Sequence, residues 1–112
     1  MSEIERWRKR IDEIDEQLLK LLNERARCAV EIGRLKKRTH QPAWQPEREL
    51  EILRHVEASN GGPLGNPAIR RLFERIIDEA RSLERHTMAE NETPSETDSG
   101  TGRTGIGRSK PE

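Results

Sequence analysis

The chain is expected to be all-α: a three-helix protomer with one very long N-terminal helix that needs a second chain beside it. Three observations predict this. Apolar residues recur in steps of three and four from Ile4 to Leu35. Two proline-bearing breaks, at 39–46 and 60–67, separate that run from two shorter helical patterns. Hydrophobic residues make up 30% of the 112, aromatics 3% and charged residues 38%, so a lone protomer has little material for a core.

The first helix is expected over about residues 3–38. Its seam reads Ile4, Trp7, Ile11, Ile14, Leu18, Leu21, Cys28, Ile32 and Leu35, and the apolar place skipped between Leu21 and Cys28 is held by Arg25. Leu19, Leu22, Ala26, Ala29 and Val30 add apolar surface outside the seam, which predicts burial on more than one side. Such a helix spans about 50 Å, against roughly 30 Å for a domain of this size, so its ends must rest on a partner.

Pro42 and Pro46 end the first helix, and Pro46 suits the first turn of a second, over about 46–59. Its inward line is Glu49, Ile52, Leu53 and Val56, which sets a carboxylate at the head of an apolar stripe. The cluster from Asn60 to Gly65 predicts a turn, with Asn66 as N-cap and Pro67 at the first position of a third helix, about 67–87. Ile69, Leu72, Phe73, Ile76, Ile77, Ala80 and Leu83 share its inner face, and Glu84 continues that row. Residues 88–112 are polar and rich in Thr, Ser, Gly and Pro, and a disordered tail is expected there. Residues 1–87 then form the one helical domain.

Lys and Arg together number 21, as do Asp and Glu, so there is no global field to favour nucleic acid or an acidic membrane. One cysteine, Cys28, excludes an internal disulfide, and three scattered histidines give no metal-ligand spacing, so no metal is expected. No apolar run resembles a signal peptide or a membrane span, which points to the cytoplasm.

Five charges fall at or beside faces that should be buried: Arg8, Arg25, Lys36, Glu49 and Glu84. An uncompensated charge there costs several kcal/mol, so each must be paired, solvated in a cavity or waiting for a ligand. Taken singly, each has a structural reading. Arg25 pairs with Glu84 or Glu49 or only sets register, Arg8 and Lys36 are solvated flanks, and Glu49 answers the helix dipole. Jointly, three cations and two acids contributed by three helices suit a small dianion that carries a hydroxyl group.

Four stretches resemble the all-helical (type II) chorismate mutases: Arg8-Lys9-Arg10-Ile11-Asp12-Glu13-Ile14-Asp15, Leu21-Leu22-Asn23-Glu24-Arg25, Glu31-Ile32-Gly33-Arg34-Leu35-Lys36 and Pro46-Glu47-Arg48-Glu49. The resemblance implies a stand-alone domain that forms an intertwined homodimer with two active sites, each built from both chains. It implies the rearrangement of chorismate to prephenate in phenylalanine and tyrosine biosynthesis, without cofactor. Arg8 would reach the neighbouring site, Arg25 and Lys36 would bind the substrate carboxylates, and Arg48 would stand at the margin. Lys36 would also lie near the ether oxygen, Glu49 would accept the ring hydroxyl, and Glu84 would face the ether oxygen from the third helix. Lys36, Glu84 and Arg25 are the expected catalytic residues.

Gln45 stands where the family often has aspartate, which weakens both a helix cap and a polar substrate contact. Ala80 replaces a usual serine hydroxyl. At Glu84 many members have glutamine and some have glutamate, and an acid there donates to the ether oxygen only when protonated. Two alternatives remain: an isochorismate-pyruvate lyase, for which an apolar residue is expected at Glu49, and a non-catalytic helical module. A mutase that depends on a partner enzyme of the same pathway is a further variant.

Overall fold

The computed structural model describes residues 2–90. Helix α1 runs Glu3–Thr39, α2 Pro46–Ser59 and α3 Asn66–Ala89. No strand occurs among the described residues.

Local chemistry explains where α1 begins and ends. Ser2 caps it, its hydroxyl accepting from the Glu5 N–H at 3.0 Å. Glu3 and Glu5 face the positive end of the helix dipole, and Lys36, Lys37 and Arg38 the negative end. His40 leaves the helix in the left-handed conformation, φ 58°. Helix α2 begins with Pro46 after Gln45, whose side chain makes no cap bond.

Helix α3 differs from expectation at both ends. Gly65, not Asn66, is its cap residue, so Pro67 falls at the second position. The Asn66 side chain serves the turn instead, its Oδ1 accepting from Asn60 Nδ2 at 2.8 Å, while Asn60 Oδ1 accepts from the Gly62 N–H at 3.1 Å. Gly62 sits at φ +76°, a conformation that favours glycine. Met88 and Ala89 are helical where the tail was expected to start. The rest of the expected tail, residues 91–112, lies outside the described residues.

Helix α3 packs against both α1 and α2, and α2 makes no packed crossing of its own with α1. The α1–α3 crossing is tight because of Gly33. A Cβ there would stand 3.1 Å from the Glu84 carbonyl oxygen and 3.2 Å from Thr87 Cβ. Thr87 is buried beside it, its hydroxyl donating to the Leu83 carbonyl at 2.9 Å.

The apolar core is small: only Ala29, Leu53 and Ile77 are buried among the described residues. Of the expected inner faces, Ile52, Val56, Ile69, Phe73, Ile76, Ala80 and Leu83 are half-buried, and Leu72 is exposed. The N-terminal half of α1 has no cover. Ile4, Trp7, Ile11, Leu18, Leu19, Leu21 and Leu22 are all exposed, Trp7 at 67%. Double-sided burial of this helix is therefore not met within one protomer. The protomer measures 56 × 36 × 15 Å and its radius of gyration is 17.8 Å, against about 12 Å for a compact domain of this length.

Candidate active site

The three helices frame a solvent-open cavity of about 440 Å³ beside the α1–α3 crossing. From α1 come Arg25, Cys28, Ala29, Ile32 and Lys36, and from the α1–α2 connection Ala43 and Gln45. Helix α2 adds Arg48, Glu49 and Ile52, and α3 adds Ile77, Ala80, Arg81 and Glu84. Every residue marked in the sequence as a site candidate lines this space except Arg8. Arg8 lies on the exposed first turns of α1, about 25 Å along the helix from Arg25, and pairs with Glu5 at 2.9 Å.

Lys36 is the buried centre of the site. Its Nζ donates to Glu84 Oε1 at 2.7 Å and to the Ala43 carbonyl at 3.1 Å. An ammonium has three donors, so one N–H stays available while the other two hold the nitrogen in place. Both side chains of the Lys36–Glu84 pair are largely buried, at 10% and 13% exposure. Gly33, one turn before Lys36, brings the backbones close enough for this pair to form.

Arg25 is half-buried in the cavity wall and has neither an ion pair nor a hydrogen bond among the described residues. The pairing of Arg25 with Glu84 or Glu49, open on sequence grounds, does not occur: those acids are taken by Lys36 and by Arg81. Arg48 is exposed at the cavity's margin and pairs with Glu51, one turn along α2. Gln45 Nε2 makes a long bond, 3.4 Å, to Gln41 Oε1. Ala80 presents only a methyl group.

Arg81 was not anticipated. Its Nε and Nη2 donate to Glu49 Oε2 and Oε1 at 2.8 and 3.0 Å, a side-on bidentate pair linking α3 to α2. Nη2 also donates to Asp78 Oδ1 at 2.8 Å. The Glu49 hydrogen bonds, against a smaller opposing effect of burial, raise the Arg81 pKa above its ordinary value, so the guanidinium is charged at every accessible pH. The signal was present in the spacing: Arg81 falls four after Ile77 and three before Glu84, on the inward row.

The lining thus carries four cations, Arg25, Lys36, Arg48 and Arg81, against two carboxylates, Glu49 and Glu84. Glu51 and Asp78, outside the lining, hold Arg48 and Arg81, so Arg25 is the cation of the lining without an acid partner among the described residues. With the spare N–H of Lys36, in a space partly walled by Ala, Ile and Cys, it suits a small anion.

Comparison with known proteins agrees with this chemistry. The family model for chorismate mutase type II matches residues 7–85. A bifunctional chorismate mutase/prephenate dehydratase of Pseudomonas aeruginosa is 41% identical over 88 residues, covering 74% of this chain and 24% of that protein. The chain therefore spans about a quarter of the length of such curated relatives. A chorismate mutase structure from Thermus thermophilus superposes with a TM-score of 0.74 at 38% identity, over 75% of this chain and 96% of that one. The Helicobacter pylori chorismate mutase, solved in complex with prephenate, superposes with a TM-score of 0.72 at 25% identity, over 79% of this chain and 96% of its own. By the family model, by identity and by fold, this chain belongs to the type II chorismate mutase family.

Proposed function

We infer that the protein catalyses the rearrangement of chorismate to prephenate, the step that leads toward phenylalanine and tyrosine. The observation that carries the reading is Arg25, without an acid partner among the described residues, in one cavity with an ordered Lys36 that has an N–H to spare. Chorismate is a dianion, and the reaction is one pericyclic step in which a C–O bond breaks as a C–C bond forms. No covalent intermediate is needed. Catalysis consists of holding the folded conformer and stabilising charge that gathers on the ether oxygen.

Arg25, without a protein partner among the described residues, is the receptor for a substrate carboxylate. Lys36 has one N–H left for the ligand, and its two protein bonds orient it before the substrate arrives. Glu84 faces the ether oxygen beside it, Glu49 accepts the ring hydroxyl, and Arg48 closes the margin. Gln45 and Ala80 line the pocket without the stronger polar contacts common in the family. An acid at Glu49 supports the mutase reading over the lyase.

The active unit is an intertwined homodimer. Uncovered apolar residues along the first turns of α1 support this, and on this reading Arg8, which lies on that stretch, completes the neighbouring chain's pocket. The cytoplasmic location expected from the sequence belongs to the same reading, and no described helix is long and apolar enough to cross a membrane. Curated relatives join a domain of this kind to prephenate dehydratase, which makes a prephenate-consuming enzyme a fitting partner.

Chorismate consumption followed by absorbance tests the reading. The wild type is expected to consume chorismate and form prephenate, and Arg25→Ala to lower kcat/KM about 100-fold or more. Wild-type protein that leaves chorismate unchanged would overturn it.

A further inference from the structure

Arg81 takes no part in the charge pattern that the sequence set out, yet it is the most fully bonded cation on the cavity wall. It meets both oxygens of Glu49 side-on, and Asp78, one turn back on α3, holds the same Nη2 from the other side. Its side chain is 22% exposed. The guanidinium is therefore fixed by its own helix before it reaches α2.

Glu49 needs such a hold. It stands in the first turn of α2, a helix whose N-terminus has no side-chain cap and which packs on α3 alone. A glutamate side chain turns about three bonds and, left free, samples many orientations. The side-on fork fixes both the position and the plane of the carboxylate. Each carboxylate oxygen has two acceptor sites, and Arg81 takes one on each, so Glu49 keeps acceptor capacity for a ligand hydroxyl. Lysine, a point charge, cannot set that plane.

We propose that Arg81 is a positioning residue which holds the Glu49 carboxylate in the orientation that accepts the ring hydroxyl of the dianionic substrate. This rests on the mutase reading and deepens it: recognition of the hydroxyl runs through α3 as well as α2. The hydroxyl bond exists equally in the bound substrate and in the transition state, so its loss is uniform binding loss. It raises KM and leaves kcat nearly unchanged. A merely structural role for the bridge does the opposite: fewer molecules fold, so apparent kcat falls at constant KM.

The test is steady-state kinetics with chorismate for the wild type, Arg81→Leu, Arg81→Lys and Asp78→Asn, and for Glu49→Gln with and without Arg81→Leu. Arg81→Leu is expected to raise KM about tenfold with kcat within about twofold, and Arg81→Lys and Asp78→Asn to raise it about threefold. In the Glu49→Gln background, Arg81→Leu should change KM by less than about twofold, because the group it positions has already been altered. An active wild type whose KM is unmoved by Arg81→Leu, or an undiminished effect in the Glu49→Gln background, overturns this inference and leaves the mutase reading intact. A wild type without turnover overturns both. Should Arg81→Leu fail to fold by circular dichroism, Arg81→Lys and Asp78→Asn decide, and unchanged KM in both sinks the proposal.

Discussion

At the scale of single residues, the cavity's lining holds two internal ion pairs, an Arg48 bonded outward to Glu51, and one cation without a partner among the described residues. Lys36 with Glu84 and Arg81 with Glu49 hold one another, whereas Arg25 has no partner among the described residues. That division explains how several charges coexist on half-buried faces. Each acid removes the cost of the cation it meets, and Arg25, only half-buried, keeps access to solvent. On the proposed function, a group at position 84 that donates to the ether oxygen must carry a hydrogen, whereas Glu84 Oε1 accepts from Lys36. A carboxylate has no hydrogen to donate to an ether oxygen, and an amide has one at every pH. Glu84→Gln, which supplies such a hydrogen, is therefore expected to raise kcat severalfold if this position donates to the ether oxygen. Steady-state kcat for both proteins checks this, and an unchanged kcat in Glu84→Gln would remove the donor role. The raised pKa of Arg81 adds no pH dependence of its own near neutrality. Stability from a raised pKa is fully present below the unfolded value and is lost only in strong alkali.

At the scale of elements, the α1–α3 crossing sets the geometry of the site. Gly33 lets the backbone of α3 approach where any side chain would meet Glu84 and Thr87. Gly33→Val should force the helices apart, costing about 2 kcal/mol in stability, and should separate Lys36 from Glu84. Urea unfolding is expected to give an earlier midpoint, and kcat should fall by more than the folded fraction does. Gly62→Ala is the contrasting case. Its positive φ makes alanine cost about 1 kcal/mol, but Gly62 is not part of the cavity wall, so kcat per folded molecule should hold. Equal effects of the two substitutions on kcat would refute the assigned role of the crossing.

At the scale of the whole molecule, three buried apolar side chains and an uncovered half-helix among the described residues are what support the proposed dimer. The chain is expected to sediment at about twice its protomer mass, and its specific activity to fall on dilution below the dimer dissociation constant. Ile11→Glu places a carboxylate on the exposed apolar stripe and should weaken association about 100-fold or more. Sedimentation equilibrium with activity measured on the same dilutions checks both statements. A fully active monomer would count against a site shared between chains.

The number and type of helices followed from periodicity and from prolines, because a step of three and four residues and a missing N–H act within a few residues of chain. The oddity of Arg25, Lys36, Glu49 and Glu84 was equally legible, since a charge on an apolar row is visible without knowing what it faces. Which acid meets which cation was not. That depends on where two helices cross, which is set by the close approach at Gly33 and by the rotation of α3, both products of packing between residues some fifty positions apart. Arg81 stood on the inward row at readable spacing, but its row gave no reason to single it out before Glu49 was brought opposite. The third cap shifted by one residue for a similar reason: Asn66 found a partner in Asn60 across the turn, and Gly65 was left to begin the helix.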